Sequence, residues 1–235
     1  MRASAGRWAS RRPDAEVTTP PLVVATRNAG KAAELGELVR SLGWRACTLD
    51  DAGVPVSAAE DDIEAFDTFE ANAIAKARYY HRASGGLPAI ADDSGLEVAA
   101  LGGAPGVLSR RWAGADGPPA AVDAANNAAL LAALNETEDR HARFTCVLAF
   151  VDEVGEVVVR GVLDGRIAHT PRGHNGFGYD PLFEPHELDG RTLGEASEVE
   201  KRSVSHRARA AAALAPVLAS RVGAAQVVGP DADSR

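Results

Sequence analysis

Cysteine is scarce in this chain: 235 residues contain only Cys47 and Cys146, so no disulfide framework organises it, and a reducing, cytoplasmic setting is expected. No apolar run approaches the roughly 18 residues of a membrane span, so no membrane partner is expected. Positive charge is not in surplus either. The formal net charge is −8, which excludes the basic surface of a general nucleic-acid binder. An anionic ligand would need its cations concentrated locally. There is no internal repeat, no Pro-rich or Gly/Ser linker, and neither a Walker A sequence nor a GxGxxG loop. Arg7, Arg11 and Arg12 are followed by Pro13, Asp14 and Glu16, not by the apolar stretch of an export signal.

The composition is 46% hydrophobic, ample for one substantial core, and strand and helix signals alternate along the chain. Residues 1–20 are expected to be a disordered extension, or to precede the true start. Residues 21–222 are expected to form one α/β domain with a mixed sheet, and 223–235 a polar, disordered tail. Leu22 to Ala25 predicts a buried strand. A polar loop, Thr26-Arg27-Asn28-Ala29-Gly30-Lys31, follows and leads into a helix with Leu35, Leu38, Val39 and Leu42 on one face. That layout presents backbone N–H groups to phosphate. Lys31 falls in the first helical turn, against the helix dipole, which suits either a ligand contact or a solvated surface lysine. Trp44 to Leu49 is a second strand candidate. A further helix is expected from Asp67, with Glu70 at capping-box spacing. Phe69, Ala73, Ala77 and Tyr80 would be its buried side, and Thr68, Asn72 and Lys76 share another face.

The stretch Pro88 to Val98, PAIADDSGLEV, carries the clearest chemistry. A short apolar strand is expected to end in Asp92, Asp93, Ser94 and Gly95. Adjacent carboxylates at the tip of a buried strand are costly unless a cation compensates them, and a divalent metal would do so. Read alone, the same four residues also make an ordinary turn. Gly95 would permit a sharp turn or a close approach to a ligand. Residues 122–134 predict a helix containing Asn126 and Asn127. Residues 143–151 and 156–163 predict a hairpin, and 165–183 must be largely loop. Phe177 and Tyr179 in that loop can stack on a base or pack in a core. Ser203 or Ser205 is expected to cap a last helix running to about Leu218. That puts His206 and Arg207 in its first turn, where two cations are disfavoured unless a ligand is their partner.

Seven segments in order, ATRNAGKAAEL, DTFEANAIAKA, PAIADDSGLEV, GGAPG, RFTCVLAF, PRGHNGFGYDPLF and EKRSVSHRARA, resemble the motifs of the inosine/xanthosine triphosphate pyrophosphatase family, RdgB/HAM1-like, across about residues 22–220. The resemblance implies an elongated two-lobed α/β fold around a long twisted mixed sheet, usually a homodimer. It implies hydrolysis of ITP, dITP and XTP to monophosphate and pyrophosphate with Mg²⁺. On matching positions, Thr26, Arg27, Asn28, Ala29, Gly30 and Lys31 would cradle the triphosphate and Lys76 would neutralise it. Asp93 would be the general base and a metal ligand, with Glu64 and Asp92 completing the metal set. Ser94 would touch the substrate. Phe177, Gly178, Tyr179 and Asp180 would hold base and sugar, with Lys201, His206 and Arg207 closing the pocket near the purine O6. Ala71 and Ala208 replace residues usual in the family, and residues 63–66 lack its glycine. Two other readings differ in class: a related nucleotide pyrophosphatase of different base choice, and a catalytically silent nucleotide-binding module.

Overall fold

The computed structural model describes residues 21–60 and 63–227; the expected N-terminal extension and residues 228–235 lie outside the described residues. Strand β1 (Pro21–Val24) is followed by helix α1 (Ala29–Ser41) and strand β2 (Arg45–Cys47). Helix α2 (Phe69–Ala83) leads into β3 (Ala89–Val98), and α3 (Pro119–Ala133) into the long pair β4 (His141–Val151) and β5 (Glu156–Ile167). Strand β6 (Phe183–Pro185), α4 (Glu198–Val204) and α5 (His206–Val227) complete the described chain. One six-stranded mixed sheet results, in the order β2-β1-β3-β4-β5-β6, with β1 parallel to both neighbours and the rest antiparallel.

Strand alternation explains how this sheet is covered. Ile90, Cys146, Leu148 and Phe150 point to one face, where Leu35 and Val39 of α1 and Leu214 and Leu218 of α5 pack on them. Ala89, Ala91, Val147 and Ala149 point to the other, against Phe69, Ala73, Ala77 and Tyr80 of α2. Covered on both faces, β4 reads as a nearly continuous apolar run. A third core sits at the far end of the long strands, where Leu96, Phe144, Leu163 and Phe183 meet Leu130 of α3 and Leu134, which caps that helix. Strands of 11 and 12 residues extend roughly 37–41 Å, so β4 and β5 carry both ends of the molecule on one scaffold.

Helices α1 and α2 cover opposite faces of the sheet, so the chain switches sides between β1 and β3. In open α/β sheets such a switch point, at the carboxyl ends of the parallel strands, is where ligands bind. Here β1 ends at Val24, opposite Ile90, whereas β3 runs on to Val98. The resulting notch lies between the first turn of α1 and the edge of β3.

Three expectations change. Asp92 to Gly95 form no turn; β3 passes straight through them, paired along its length with β4. Gly95 makes no turn there; it lines the cavity, and a Cβ on it would stand 2.4 Å from the Gly106 carbonyl oxygen and 2.5 Å from Ser109 Oγ. The cap of α2 is Thr68, whose hydroxyl accepts the Ala71 N–H, not Asp67. The last helix is capped by Ser205, whose Oγ accepts the Arg207 N–H at 3.2 Å, and it continues past Leu218 to Val227.

Gly161 of β5 controls where α5 sits. A Cβ there would meet the His206 carbonyl oxygen at 2.2 Å and the Ala210 nitrogen at 2.4 Å, both rigid helix backbone. Gly161→Ala is expected to destabilise the fold by about 1–3 kcal/mol, as overpacking of a close-packed contact does. Denaturant unfolding measures this; an unchanged midpoint would show that α5 shifts without cost.

Candidate active site

A cavity of about 510 Å³ occupies the notch. Its floor is β3, and its walls come from α1, α2, the loop after β3, the 177–180 turn and the start of α5. Among the described residues it gathers most of the positions singled out from the sequence: Thr26, Arg27, Asn28 and Lys31 on one wall, Glu64, Lys76, Asp93 and Ser94 at the floor. Phe177, Gly178, Tyr179 and Asp180, with Lys201, His206 and Arg207, line the other end. Ala29 and Gly30 sit in the first turn of α1 outside this wall, although Gly30 lies directly beside the Phe177 ring.

The two adjacent aspartates part company. Successive side chains of a strand point to opposite faces, so Asp93 faces α2 and Asp92 faces α1 and α5. Asp92 is fully buried and does not line the cavity; this corrects the picture of Asp92 and Asp93 as ligands converging on one ion. Its Oδ2 takes Lys31 Nζ at 3.0 Å, Arg207 Nε at 3.5 Å and a hydrogen bond from Ser94 Oγ at 2.6 Å. Burial opposes its ionisation, but Lys31, Arg207 and Lys76 outweigh burial and hold the carboxyl well below the usual range. Asp93 has weaker support. Asn72 Nδ2 donates to its Oδ2 at 3.0 Å and the Ser94 N–H to its Oδ1 at 3.1 Å. Burial dominates over Lys76 and Lys31, and its pKa rises to about 6.

Lys76 donates to the Asp92 carbonyl oxygen at 2.8 Å and pairs with Glu64. Burial works against its charge, yet Asp92 and Glu64 keep it a cation, with its pKa above the ordinary lysine value. The stripe of Asn72 and Lys76 is therefore a buried polar face of α2, not a solvated one. Asn72 also clamps Phe66, accepting its N–H and donating to its carbonyl. Arg111 Nη2 donates to the Glu64 carbonyl at 3.1 Å.

Arg27 lines the cavity but spends its guanidinium elsewhere. It binds both carboxylate oxygens of Glu60, Asp50 at 3.3 Å and the Val54 carbonyl at 3.0 Å. At the opposite end, burial and then the nearby Arg207 and Lys201 push the His206 imidazole well below its ordinary pKa. It is neutral, stacked on Phe144 at 5.0 Å with an 11° interplanar angle, and its buried Nε2 has no hydrogen-bond partner. The expectation of a cationic His206 is thus corrected. Arg207 is a cation, but its partners are Asp92 and Glu34, the latter at 3.0 Å from Nη1, so the dipole conflict is resolved within the protein. Lys201 Nζ reaches Asp180 Oδ2 at 2.6 Å and lies 4.6 Å from the centre of the Phe177 ring.

Four participants had weaker sequence signals. Glu34 lies one turn after Lys31 on α1, the spacing that puts both on one face. Asn72 shares the stripe with Lys76. Asp123 and Asn126 line the cavity from α3, where polar residues in an Ala- and Leu-rich helix were the only hint.

The cavity suits a divalent ion held with a phosphate ligand. Five carboxylates line it. Glu60 is bound by Arg27, Asp123 by the Gly178 N–H and Asp180 by Lys201. Asp93 is a buried acid whose charge its protein neighbours compensate poorly, and Glu64 stands with it beside Lys76. Magnesium commonly takes one or two carboxylates and completes its shell with water and phosphate oxygens. Among the described residues no group of three or more His, Cys, Asp or Glu side chains is placed to hold a metal ion.

Opposite shifts of the two buried aspartates predict opposite stability effects. Asp93 is raised above its ordinary 3.8, so its ionisation disfavours the fold once pH passes about 6 and matters little below about 4. Asp93→Asn should therefore stabilise the metal-free protein at pH 8 by up to about 3 kcal/mol, and the gain should vanish near pH 4. Asp92 is lowered, so its contribution is present above about pH 4 and lost on acidification. Asp92→Asn should cost about 3–5 kcal/mol at pH 7, the range for breaking a buried pair. Unfolding curves against pH measure both; a loss of stability in Asp93→Asn at pH 8 would contradict the assignment.

Known proteins carry the same arrangement of chain and fold. The Ham1 family model matches residues 22–217. A dITP/XTP pyrophosphatase of Mycolicibacterium paratuberculosis is 50% identical over 203 residues, covering 84% of this chain and 95% of that protein. One from Mycobacterium tuberculosis is 51% identical over 201 residues, covering 85% and 95%. The structure of a HAM1 protein from Coxiella burnetii superposes with a TM-score of 0.74 at 40% identity, covering 86% of this chain and all of that one. With the family model spanning most of the chain and full-length relatives at half identity, this protein belongs to the Ham1 family.

Proposed function

We propose that the protein hydrolyses deaminated purine nucleoside triphosphates, ITP, dITP and XTP, to the monophosphate and pyrophosphate. The observation that carries this reading is Asp93. It is a buried, poorly compensated carboxylate on the cavity floor, with lysines on one side and an aromatic turn on the other. Hydrolysis adds water across the bond between the α- and β-phosphates. Asp93 takes the proton from that water, and a pKa of about 6 suits a base working near neutrality. Lys31 and Lys76 face the charge that spreads over the phosphate oxygens in the transition state. The Asn28 cap orders the first turn of α1, whose N-terminal N–H groups suit an anion.

Asp93 and Glu64 are the residues to hold Mg²⁺, which would neutralise phosphate charge and lower the pKa of water. Asp92 is assigned a different part: it holds Lys31 and Arg207 in place from behind the strand. The base lies against the Phe177–Asp180 turn, with neutral His206 and Arg207 offering N–H donors to the C6 carbonyl of hypoxanthine or xanthine. Adenine presents an amino group there, and a site built around donors leaves it mispaired. A homodimer and a cytoplasmic location belong to the same reading; two buried, free cysteines suit a reducing compartment.

Two assays test this. The purified protein with Mg²⁺ should release pyrophosphate from ITP and XTP far faster than from ATP and GTP; equal rates on all four, or orthophosphate as first product, would refute it. Asp93→Asn should lower kcat by about 10²–10⁴-fold while retaining nucleotide binding, the usual size of a general-base contribution. Near-normal turnover would mean that another group activates the water, and turnover absent from the natural sequence itself would favour a binding module.

A further inference from the structure

The aromatic turn presents a mechanical problem. Between β5 and β6 the chain runs from Ala168 to Leu182 without a regular strand or helix, so no ladder fixes it. Phe177 is 39% exposed, so core packing does not fix its ring either. Phe177 and Asp180 bond each other, the Phe177 N–H to Asp180 Oδ2 at 2.9 Å and the Asp180 N–H to the Phe177 carbonyl at 3.2 Å, and Lys201 holds Asp180. Gly178, between them, is held by α3. Asp123 Oδ2 accepts the Gly178 N–H at 2.8 Å, and Asn127 Nδ2 donates to the Gly178 carbonyl at 2.9 Å. Both polar groups of the residue following Phe177 are thus bound to one helix. Gly178 has φ +62°, the left-handed conformation that places them for this grip.

The same helix grips the adjoining wall. Asn126 Oδ1 accepts the Ala113 N–H at 2.8 Å, and its Nδ2 donates to the Arg110 carbonyl at 2.9 Å. The two walls are then joined directly, since the Tyr179 hydroxyl donates to the Ser109 carbonyl at 2.9 Å. Asn126 and Asn127 are buried, at 3% and 9% exposure, in a helix otherwise rich in alanine and leucine. Asparagine is a poor helix interior residue, and a buried amide costs free energy unless it is bonded. Asn127 bears part of that cost openly, because its Oδ1 has no partner.

We propose that Asp123, Asn126 and Asn127 are positioning residues that set the base-and-sugar end of the cavity by fixing Gly178 and the facing 110–113 wall. The proposal rests on the reading that this end receives the base and sugar. Losing the hydrogen bond from the Gly178 N–H to a charged acceptor frees the peptide next to Phe177, so that its ring takes several positions and binding must then restore one.

The experiment compares Asp123→Ala, Asn127→Ala and Asp123→Asn with the parent protein. Exchange of the Gly178 amide, followed by NMR without ligand, should quicken about tenfold or more in Asp123→Ala, the loss of one such bond. The dissociation constant for IMP should rise about tenfold in both alanine variants, while that for inorganic pyrophosphate, which has no base, stays within about twofold. Asp123→Asn keeps a carbonyl acceptor and should restore most of both losses. Unchanged exchange, equal weakening of IMP and pyrophosphate, or an Asn variant as impaired as Ala would overturn the proposal. A parent protein that binds no IMP would instead remove the functional reading, while the exchange result would still decide whether Asp123 holds the turn.

Discussion

The site depends on one buried charge. Asp92 has no exposed surface, and it survives as a carboxylate because α1 contributes Lys31, α5 contributes Arg207, and β3 itself contributes the Ser94 hydroxyl. Breaking such a pair leaves an uncompensated ion, which is why the arrangement constrains all three elements at once. Glu34 extends it, holding both Arg207 and the Ser205 cap at the start of α5. Distances between the first turn of α1 and the first turn of α5 are thereby set by electrostatics through the strand between them. The glycine at 161 lets the backbone of α5 come close enough for this to happen.

Because β3 is a strand and not a turn, its neighbouring aspartates do opposite work. One is surrounded by cations and cannot easily gain a proton; the other faces a cavity whose lysines are partly committed to Asp92 and Glu64. The contrast resembles other hydrolytic sites in which two carboxylates are tuned apart by environment, and it assigns a structural part to one and a chemical part to the other. A cation and a proton compete for the second, and that competition ties its base function to the ion it helps to hold.

Some of this was decided by the sequence alone. Period-two and helical apolar patterns located β1, α1, α2, the β4–β5 hairpin and α3 within a few residues, because those segments bury one continuous face and little else competes. The ordered motifs marked the family, since their residue types are set by chemistry at the cavity. Tertiary structure decided the rest. Local rules read DDSG as a turn because Asp, Ser and Gly favour turns in isolation; pairing with all ten positions of β3 against β4 overrode that preference. His206 looked cationic until burial beside two other cations made its charge too costly. Arg27 and Arg207 looked unpaired within the protein, because their partners Glu60, Asp92 and Glu34 lie 33 to 173 positions away in sequence. The side to which a carboxylate points follows from strand phase, and strand phase is fixed only when the sheet forms.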